Sequence, residues 1–323
     1  MMRNLLRQAA CSCLDIEERT GEACQSCAAG TQEDGGVNSD SLRSTQAYWD
    51  AAAETYEQKF SGTTVGKTRR QAVWRDLEQL FHPGQRVLEL NCGTGIDAVF
   101  LARKGVKVLA CDIAPRMIEL AQDLAATAKV TTHTDFRVLA TEHLSTLREE
   151  GRFDGAFSNF SGLNCVEDLS KVARDLSGLL KPGAPFLMCM MGRFVPWEIV
   201  WFLAHGKPKQ AVLRLREERT HYSNRGDATQ AGGPTDLNIQ RPSVGQIAEQ
   251  MGEDFRLRAW KGIGITVPPS YTEHWASRFP RLIGRLAEID RVLGPLPLFR
   301  SMADCVLLEF ERRGEPRGHA NGA

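Results

Sequence analysis

Short apolar runs alternate with amphipathic stretches between residues 86 and 191. In the amphipathic stretches the apolar residues recur at helical spacing, whereas the runs are nearly continuous and short enough to be strands. The predicted strands read RVLEL, VKVLACDI, DFRVLA, FDGAFSNF and APFLMCMM. Because strands of this kind are buried on both faces, the pattern predicts an α/β fold with a mostly parallel sheet covered by helices on both sides.

The alternation breaks after the fifth predicted strand and resumes near the end of the chain. Residues 193–254 combine helical stretches with a Gly-rich polar segment, and we interpret them as an insertion. Residues 254–269 and 302–313 return to strand character, with a helical pattern over 272–293 between them. Helices are also predicted ahead of the first strand, over 41–60 and 66–80. The predicted boundaries are 1–40 for a disordered tail, 41–312 for the domain and 313–323 for a polar tail.

Four cysteines form two close pairs in the predicted tail. They are Cys11, Cys13, Cys24 and Cys27. Close cysteine pairs can ligate zinc. Few apolar residues lie between the pairs to pack around a metal, so incidental cysteines in a flexible tail are the favoured interpretation and no metal is predicted.

Charge and hydropathy narrow the classes of partner. The chain of 323 residues carries 40 Lys plus Arg and 40 Asp plus Glu, so its formal net charge is zero. This balance argues against binding nucleic acid by broad phosphate neutralisation. No apolar run is long enough to span a membrane, and the N-terminus lacks the apolar core of a signal peptide, so a cytoplasmic location is expected. The basic segment 207–220 is either a solvated helix face or a peripheral membrane contact.

The stretch VLELNCGTGID, residues 87–97, carries the candidate chemistry. A strand that ends in a glycine turn and leads into a helix points backbone N–H groups at a ligand, and glycine allows close approach. Gly93 and Gly95 alone are a weak signal. The third glycine of a dinucleotide motif would fall at Ala98, a small residue that such folds tolerate, so NAD stays open at this point.

Two acidic residues narrow the ligand. Asp112 ends the second predicted strand, where a carboxylate can accept hydrogen bonds from both ribose hydroxyls. Glu89 precedes the loop, where a carboxylate would repel a pyrophosphate but would attract a cationic or ammonium group. S-adenosylmethionine (SAM) has both a positive centre and an ammonium group.

Residues from about 46 to 191 resemble the class I SAM-dependent methyltransferases of the small-molecule branch. VLELNCGTG is similar to their first motif, and CDIAPRMIELAQ to their second strand and its helix. FDGAFSNF resembles the fourth-strand motif, and LLKPGAPFLM the run into the fifth strand. The resemblance implies SAM as cofactor. It also implies a Rossmann-like, seven-stranded, mostly parallel sheet with an antiparallel last strand and a helical lid insertion at 193–254.

The resemblance also implies cofactor contacts, carried over position by position. The methionine part would be lined by Glu89, Cys92, Gly93 and Gly95, with Asn91 in the same motif. The ribose would be held by Asp112, with Ile113 and Met117 near the ribose or adenine. The adenine would be edged by Ala140, Thr141 and Glu142, and the sulfonium would lie above Ser158, Asn159 and Phe160. Tyr56 lies where relatives often cover the cofactor, although a core aromatic on an amphipathic helix is an equally good interpretation.

The sequence departs from the family pattern at three places. Asn91 replaces the first glycine of the motif, and asparagine tolerates a left-handed backbone better than most residues. Ala114 replaces the usual hydroxyl residue after the ribose-binding acid. The third strand ends near Ala140 instead of in the aspartate that reaches the adenine amino group in relatives, and Thr141 or Glu142 would take that role.

The acceptor pocket is expected at the carboxyl ends of the strands, roofed by the insertion. The aromatic run RFVPWEIVWF in the insertion suits a small apolar or aromatic acceptor, with O-methylation preferred. His205, His221 and His274 are the candidate bases. Two alternatives stay open, a SAM-binding regulator or assembly partner without transfer activity and a dinucleotide oxidoreductase. No feature predicts the oligomeric state.

Overall fold

A single sheet of seven strands organises the computed structural model, which describes residues 39–216, 219–223 and 236–314. The sheet order is β3-β2-β1-β4-β5-β9-β8. Its strands are Arg86–Leu90 (β1), Lys107–Asp112 (β2), Thr134–Val138 (β3), Gly155–Ser158 (β4), Pro185–Met191 (β5), Phe255–Ile263 (β8) and Cys305–Arg312 (β9). β9 pairs antiparallel with both β5 and β8, and the other neighbouring pairs are parallel. The predicted mostly parallel sheet with an antiparallel last strand is confirmed.

Helices flank the sheet and fill the connections between its strands. They are Ser39–Tyr56 (α1), Thr64–Leu80 (α2), Ile96–Ala102 (α3), Pro115–Ala128 (α4), Leu169–Leu179 (α5), Pro196–Ala204 (α6), Pro208–Ala211 (α7), Leu213–Arg216 (α8), Val244–Met251 (α9), Glu273–Ala276 (α10) and Pro280–Leu293 (α11). Local sequence explains several starts. The Asp168 side chain accepts from the backbone N–H groups of Ser170 and Lys171 at the start of α5, and Ser243 caps α9 in a capping box.

Alternation along the strands divides the core into two layers. In β1, Val87 belongs to the layer that contains Leu77 of α2, whereas Leu88 and Leu90 belong to the layer that contains Leu176 of α5. All of these side chains are fully buried. Successive side chains of a strand point to opposite faces, so a short apolar run can bind helices on both sides. The predicted helix layers on both faces are confirmed.

The parallel register brings the carboxyl ends of three strands to one level. Leu90 of β1 lies beside Cys111 of β2 and Ser158 of β4. Asp112, the last residue of β2, lies beside Val138 of β3. The loops after these strands therefore meet at one edge of the sheet, where α/β folds place their ligands.

The segment predicted as an insertion contains a two-stranded antiparallel sheet, β6 (Arg219–Ser223) and β7 (Asp236–Gln240). β7 is bound to the turn after β4, because Asn164 Nδ2 donates to the Gln240 carbonyl at 2.6 Å and Gln240 Nε2 donates to the Val166 carbonyl at 3.1 Å. Helix α9, within the same predicted range, packs into the core layer of α5. The end of the range therefore covers the sheet.

Two predicted elements are shorter in the structure, both at residues that disrupt regular backbone. The helix predicted over 272–293 is divided into α10 and α11, because Pro280 has no N–H group for a helix interior and instead opens α11. The strand predicted over 254–269 ends at Ile263, and Gly264 follows with φ of 77°. Within the described ranges, no helix has both the length and the apolar character needed to cross a bilayer.

Candidate functional site

A cleft opens at the carboxyl edge of the sheet, with about 790 Å³ of space free of atoms. The loops after β1, β2, β3 and β4 all contribute to its lining, together with helix α1. Most of the predicted cofactor residues lie here: Tyr56, Glu89, Asn91, Cys92, Gly93, Asp112, Ile113, Met117, Thr141, Glu142, Asn159 and Phe160.

The glycine loop has the left-handed backbone that its sequence predicted. Asn91, Gly93 and Gly95 have φ values of 54°, 53° and 73°. A Cβ on Gly95 would lie 2.6 Å from the Cβ of Ala121 and 2.9 Å from the ring of Phe136. Gly95 is not among the residues that line the cleft. Its lack of a side chain lets α3 start close to α4.

Asn91 connects the glycine loop to the loop after β3 and to the end of β4. Its Nδ2 donates to Thr141 Oγ1 at 3.0 Å, and its Oδ1 accepts from Ser158 Oγ at 3.3 Å. A Cβ on Gly162 would lie 2.2 Å from the Cβ of Asn91, far inside van der Waals contact. The space that Asn91 fills is therefore provided by the absence of a side chain at Gly162.

Asp112 is fixed by the backbone around it. Its Oδ2 accepts from the N–H of Gly93 at 2.8 Å and its Oδ1 from the N–H of Ala114 at 3.0 Å. Burial raises the pKa of Asp112 to about 6, against the lowering effect of these hydrogen bonds. Each carboxylate oxygen retains a second lone pair, so the group can still accept from two ligand hydroxyls.

Glu89 presents an unsatisfied acceptor to the cleft. The residue is 1% exposed, and its Oε2 has no hydrogen-bond partner among the described residues. Burial raises the pKa of Glu89 well above its ordinary value, and the charge of nearby Asp97 adds to the shift. Asn159 Oδ1 is also buried and unpaired. Buried acceptors without partners are rare and costly, so two of them at one cleft fit a ligand that carries hydrogen-bond donors.

A buried ion pair forms the other wall of the cleft. Arg70 Nη1 donates to Asp97 Oδ2 at 2.5 Å. Asp97 also accepts from Trp74 Nε1 at 2.6 Å and from Asn159 Nδ2 at 2.9 Å. Burial lowers the pKa of Arg70, but the charge and hydrogen bond of Asp97, together with the nearby Tyr56 and Glu89, outweigh it and the pKa is raised. With its carboxylate held by three donors, Asp97 fixes the position of the Asn159 side chain.

Aromatic rings run along the same side of the site. Tyr56 lies 5.7 Å from Phe60 and Phe60 lies 5.3 Å from Phe160, measured between ring centroids. The Arg70 guanidinium lies 4.7 Å from the Phe160 ring centroid. Burial raises the pKa of Tyr56 to about 12, so its hydroxyl stays protonated at neutral pH. These rings exclude water from one side of the cleft.

Several predicted residues lie elsewhere. Besides Gly95, Ala140 and Ser158 are buried but do not line the cleft, although Ser158 contacts it through Asn91. His205 and His274 are exposed and do not line it either. The side chain of His221 lies outside the described part of the chain.

The aromatic residues of the predicted roof are also absent from the lining of the described cleft. They are Phe194, Trp197, Trp201 and Phe202. Trp197 instead donates through Nε1 to the Thr266 carbonyl at 2.9 Å, and the ring of Trp201 stacks against His205.

The structure adds lining residues that the motifs did not indicate. They are Leu42, Thr45, Trp49, Arg70, Thr94, Ile96, Asp97, Gly162, Cys165 and Val166. The sequence could have indicated one of them, Arg70. It falls on the same face of α2 as Val73 and Leu77, where an apolar residue is expected. A charged residue at a core position indicates a buried partner.

The fold, the left-handed loop and the carboxylate at the end of β2 define a Rossmann-like nucleotide-binding domain. Residues 87–183 match the family model described as a methyltransferase domain. In structure, the chain is similar to the CcbJ methyltransferase from Streptomyces caelestis, with a TM-score of 0.54 and 16% identity over 83% of this chain and 99% of that one. At this identity the likeness shows the fold alone.

Two curated relatives are similar in sequence over part of the chain. A ubiquinone biosynthesis O-methyltransferase from Xanthomonas campestris pv. campestris (strain B100) is 33% identical over 34% of this chain and 45% of the relative. A tRNA 5-carboxymethoxyuridine methyltransferase from Escherichia coli (strain K12) is 29% identical over 42% of this chain and 52% of the relative. The chain spans about half the length of these relatives. Residues 87–183 are therefore a methyltransferase domain, and the methyl donor of the SAM-dependent methyltransferases is SAM.

Proposed function

We propose that the protein transfers a methyl group from SAM to a small apolar or aromatic metabolite, with oxygen as the acceptor atom. The assignment of SAM as the cofactor is supported by Glu89, whose Oε2 lies buried and unpaired in the cleft. A carboxylate left without a donor in a protein interior is stabilised when an ammonium group binds beside it. A dinucleotide would instead place its negative pyrophosphate near this carboxylate, and the two groups would repel each other.

The residues of the cleft suit the three parts of SAM. Asp112 would accept from the ribose hydroxyls. Glu89 and Asn159 would accept from the ammonium group of the methionine part, which has three donors. Thr141 and Glu142 would lie at the adenine, in place of the aspartate that relatives carry.

SAM would supply a methyl group that its positive sulfonium already activates. The chain would therefore need to align the acceptor and exclude water rather than create a strong electrophile. Tyr56 and Phe160 would provide the apolar surface against which an aromatic acceptor is oriented. The described lining contains no histidine or lysine, so a phenolic or other readily ionised hydroxyl is the acceptor class that fits it best.

The names of the relatives bear on the acceptor in different ways. The O-methyltransferase from Xanthomonas supports transfer to oxygen on a small molecule. The tRNA methyltransferase from Escherichia coli raises an RNA acceptor instead. The only arginine or lysine in the described lining is Arg70, which is bound to Asp97. Phosphate recognition depends on available cations, so a small neutral acceptor is favoured.

Calorimetry with SAM, S-adenosylhomocysteine and NAD tests the cofactor. We expect SAM and S-adenosylhomocysteine to bind and NAD to bind far more weakly. Asp112→Asn should weaken SAM binding about 10- to 150-fold, the range for hydrogen bonds to a charged group. Asp135→Asn, an exposed carboxylate on the next strand, is the matched control and should leave the affinity unchanged. Tight binding of NAD without binding of SAM would refute the proposal.

Transfer itself is tested with methyl-labelled SAM and separate extracts of small metabolites, RNA and protein. Label in the small-metabolite fraction is the expected result. Label confined to RNA would replace the proposed acceptor class. Binding of SAM with no label in any fraction would support a SAM-binding protein without transfer activity.

A further inference from the structure

Helix α11 carries a second apolar stripe that does not face the core. Its core side is formed by Ile283, Leu286 and Ala287, which pack with Val65 of α2. Leu282, Ile289 and Val292 are exposed and recur at intervals of seven and three residues. At 3.6 residues per turn this spacing places them in one row. A helix that covers the core needs only one apolar side, so the second row is unexplained by the fold.

The loop after α11 extends this row. It reads GPLPLF, residues 294–299, and its Leu298 is 71% exposed. Phe279, immediately before the helix, is also about half exposed. Single exposed apolar residues are common on protein surfaces, but a contiguous row at both ends and along a helix marks an interaction surface. We call the row from Phe279 to Leu298 the α11 surface.

Arginines accompany the α11 surface. Arg285 falls within the apolar row, three residues after Leu282 and four before Ile289, and Arg281 and Arg278 lie beside it. All three are exposed, and none makes an ion pair with a described residue. Because the whole chain has a formal net charge of zero, this local excess of positive charge is a property of the surface itself.

We propose that the α11 surface binds anionic phospholipid bilayers, with α11 lying in the plane of the interface. A helix that presents apolar side chains together with arginines is suited to this position, because the apolar row enters the acyl region and the guanidinium groups stay at the phosphates. A second copy of the chain fits less well, since a two-fold contact through the row would bring the Arg285 side chains of both copies into one apolar interface.

The surface adjoins the edge of the sheet that carries the cleft. Ile265 and Thr266 follow the carboxyl end of β8. Their N–H groups donate to the Asp290 carboxylate of α11, at 3.0 and 2.6 Å. Within the basic segment 207–220, Arg214 is partly buried and pairs with Glu198 and Asp304, so its charge is neutralised within the protein.

Vesicle flotation of the full chain tests the proposal. We expect binding to vesicles of phosphatidylcholine with phosphatidylglycerol, weaker binding as salt rises, and little binding to phosphatidylcholine alone. The double variant Arg281→Gln/Arg285→Gln should bind about 25-fold more weakly, from about fivefold for each arginine near an anionic surface. The double variant Ile289→Ser/Val292→Ser should lose binding by at least about tenfold.

Val138→Ser is the matched control. Val138 is 53% exposed, close to the 58% of Val292. It lies on β3, the outermost strand on the side of the sheet opposite to β8. It should leave vesicle binding unchanged, and circular dichroism should show that every variant is folded. Equal binding to neutral and anionic vesicles, or equal binding by the wild type and both double variants, would overturn the proposal. So would a dimer in analytical ultracentrifugation that Ile289→Ser/Val292→Ser dissolves without any vesicle binding. SAM affinity does not enter this test, so its outcome is independent of the proposed function.

Discussion

Replacing Glu89 by glutamine should separate recognition of the methionine part of the cofactor from recognition of adenosine. The substitution keeps the shape of the side chain but removes the negative charge that would meet an ammonium group. A hydrogen bond to a charged group contributes about 1.5–3 kcal/mol, which corresponds to about 10- to 150-fold in affinity. The measured loss should fall in the lower part of this range, because burial raises the pKa of Glu89 in the free protein and the carboxyl must release its proton before it pairs.

The assay compares two ligands by calorimetry. SAM has the ammonium group, whereas 5′-methylthioadenosine has the same adenosine part without it. Glu89→Gln should weaken SAM and leave methylthioadenosine unchanged, while Asp112→Asn should weaken both. SAM binding to the wild type should also release a proton, seen as a dependence of the binding enthalpy on the ionisation enthalpy of the buffer. Equal weakening of both ligands by Glu89→Gln would refute the reasoning, since Glu89 would then act through the shape of the loop.

The same substitution should stabilise the free protein, which gives a second measurement. The pKa of Glu89 in the folded state is raised above its ordinary value of 4.5, so its ionisation opposes folding as the pH rises above about 4.5. Glutamine does not ionise. The melting temperature of Glu89→Gln should therefore equal that of the wild type near pH 4 and exceed it increasingly at higher pH. A lower melting temperature at neutral pH would contradict the burial of an unpaired carboxyl.

Three further predictions follow from the cleft. SAM affinity should fall about fivefold between pH 6 and pH 5, because Asp112 has a pKa of about 6 and its charged form binds the ribose. Protonation of Asp112 itself favours the folded state in this range, since its pKa lies above the ordinary 3.8. A fall in SAM affinity of the same size in Asp112→Asn would contradict the assignment. Gly162→Ala should lower the free energy of unfolding, measured in urea, by about 1–3 kcal/mol, because its Cβ would meet Asn91. Adding Asn91→Gly should restore the stability. If the double variant is no more stable than Gly162→Ala alone, contact between the two residues is not the cause. Arg70→Met should lower the free energy of unfolding by about 3–5 kcal/mol, because it leaves the Asp97 carboxylate buried without its cation. Adding Asp97→Asn should recover much of this loss. If the double variant recovers none of it, the Arg70–Asp97 ion pair is not the source of the stability.

The fold could be predicted because its signal is local and repeated. Each strand is a short apolar run, and each helix has one apolar side, so the order of elements follows from alternation. The predictions were least accurate where one residue overrides the pattern, as at Pro280, which divides a helix that the spacing alone makes continuous.

The cofactor cleft was predictable for a different reason. Its residues are the last residues of strands and the first of loops, and the parallel register brings those ends together. The wall formed by Arg70 and Asp97 depends on how α2 packs against α3, which no short motif encodes. The histidines were predicted from residue type alone, and tertiary packing decides where they lie. His205, at the end of α6, and His274, in α10, are both exposed away from the cleft.

The contact between Asn91 and Gly162 changes what the glycine motif means in this chain. The motif is usually described as a property of one loop, in which a missing side chain makes room. Here the room is made by a glycine in the turn after β4, and the asparagine fills it while it binds Thr141, after β3, and Ser158, at the end of β4. The two loops share one volume, and a side chain at position 162 would need the space that Asn91 fills. The effect of a substitution at position 91 therefore depends on the residue at position 162.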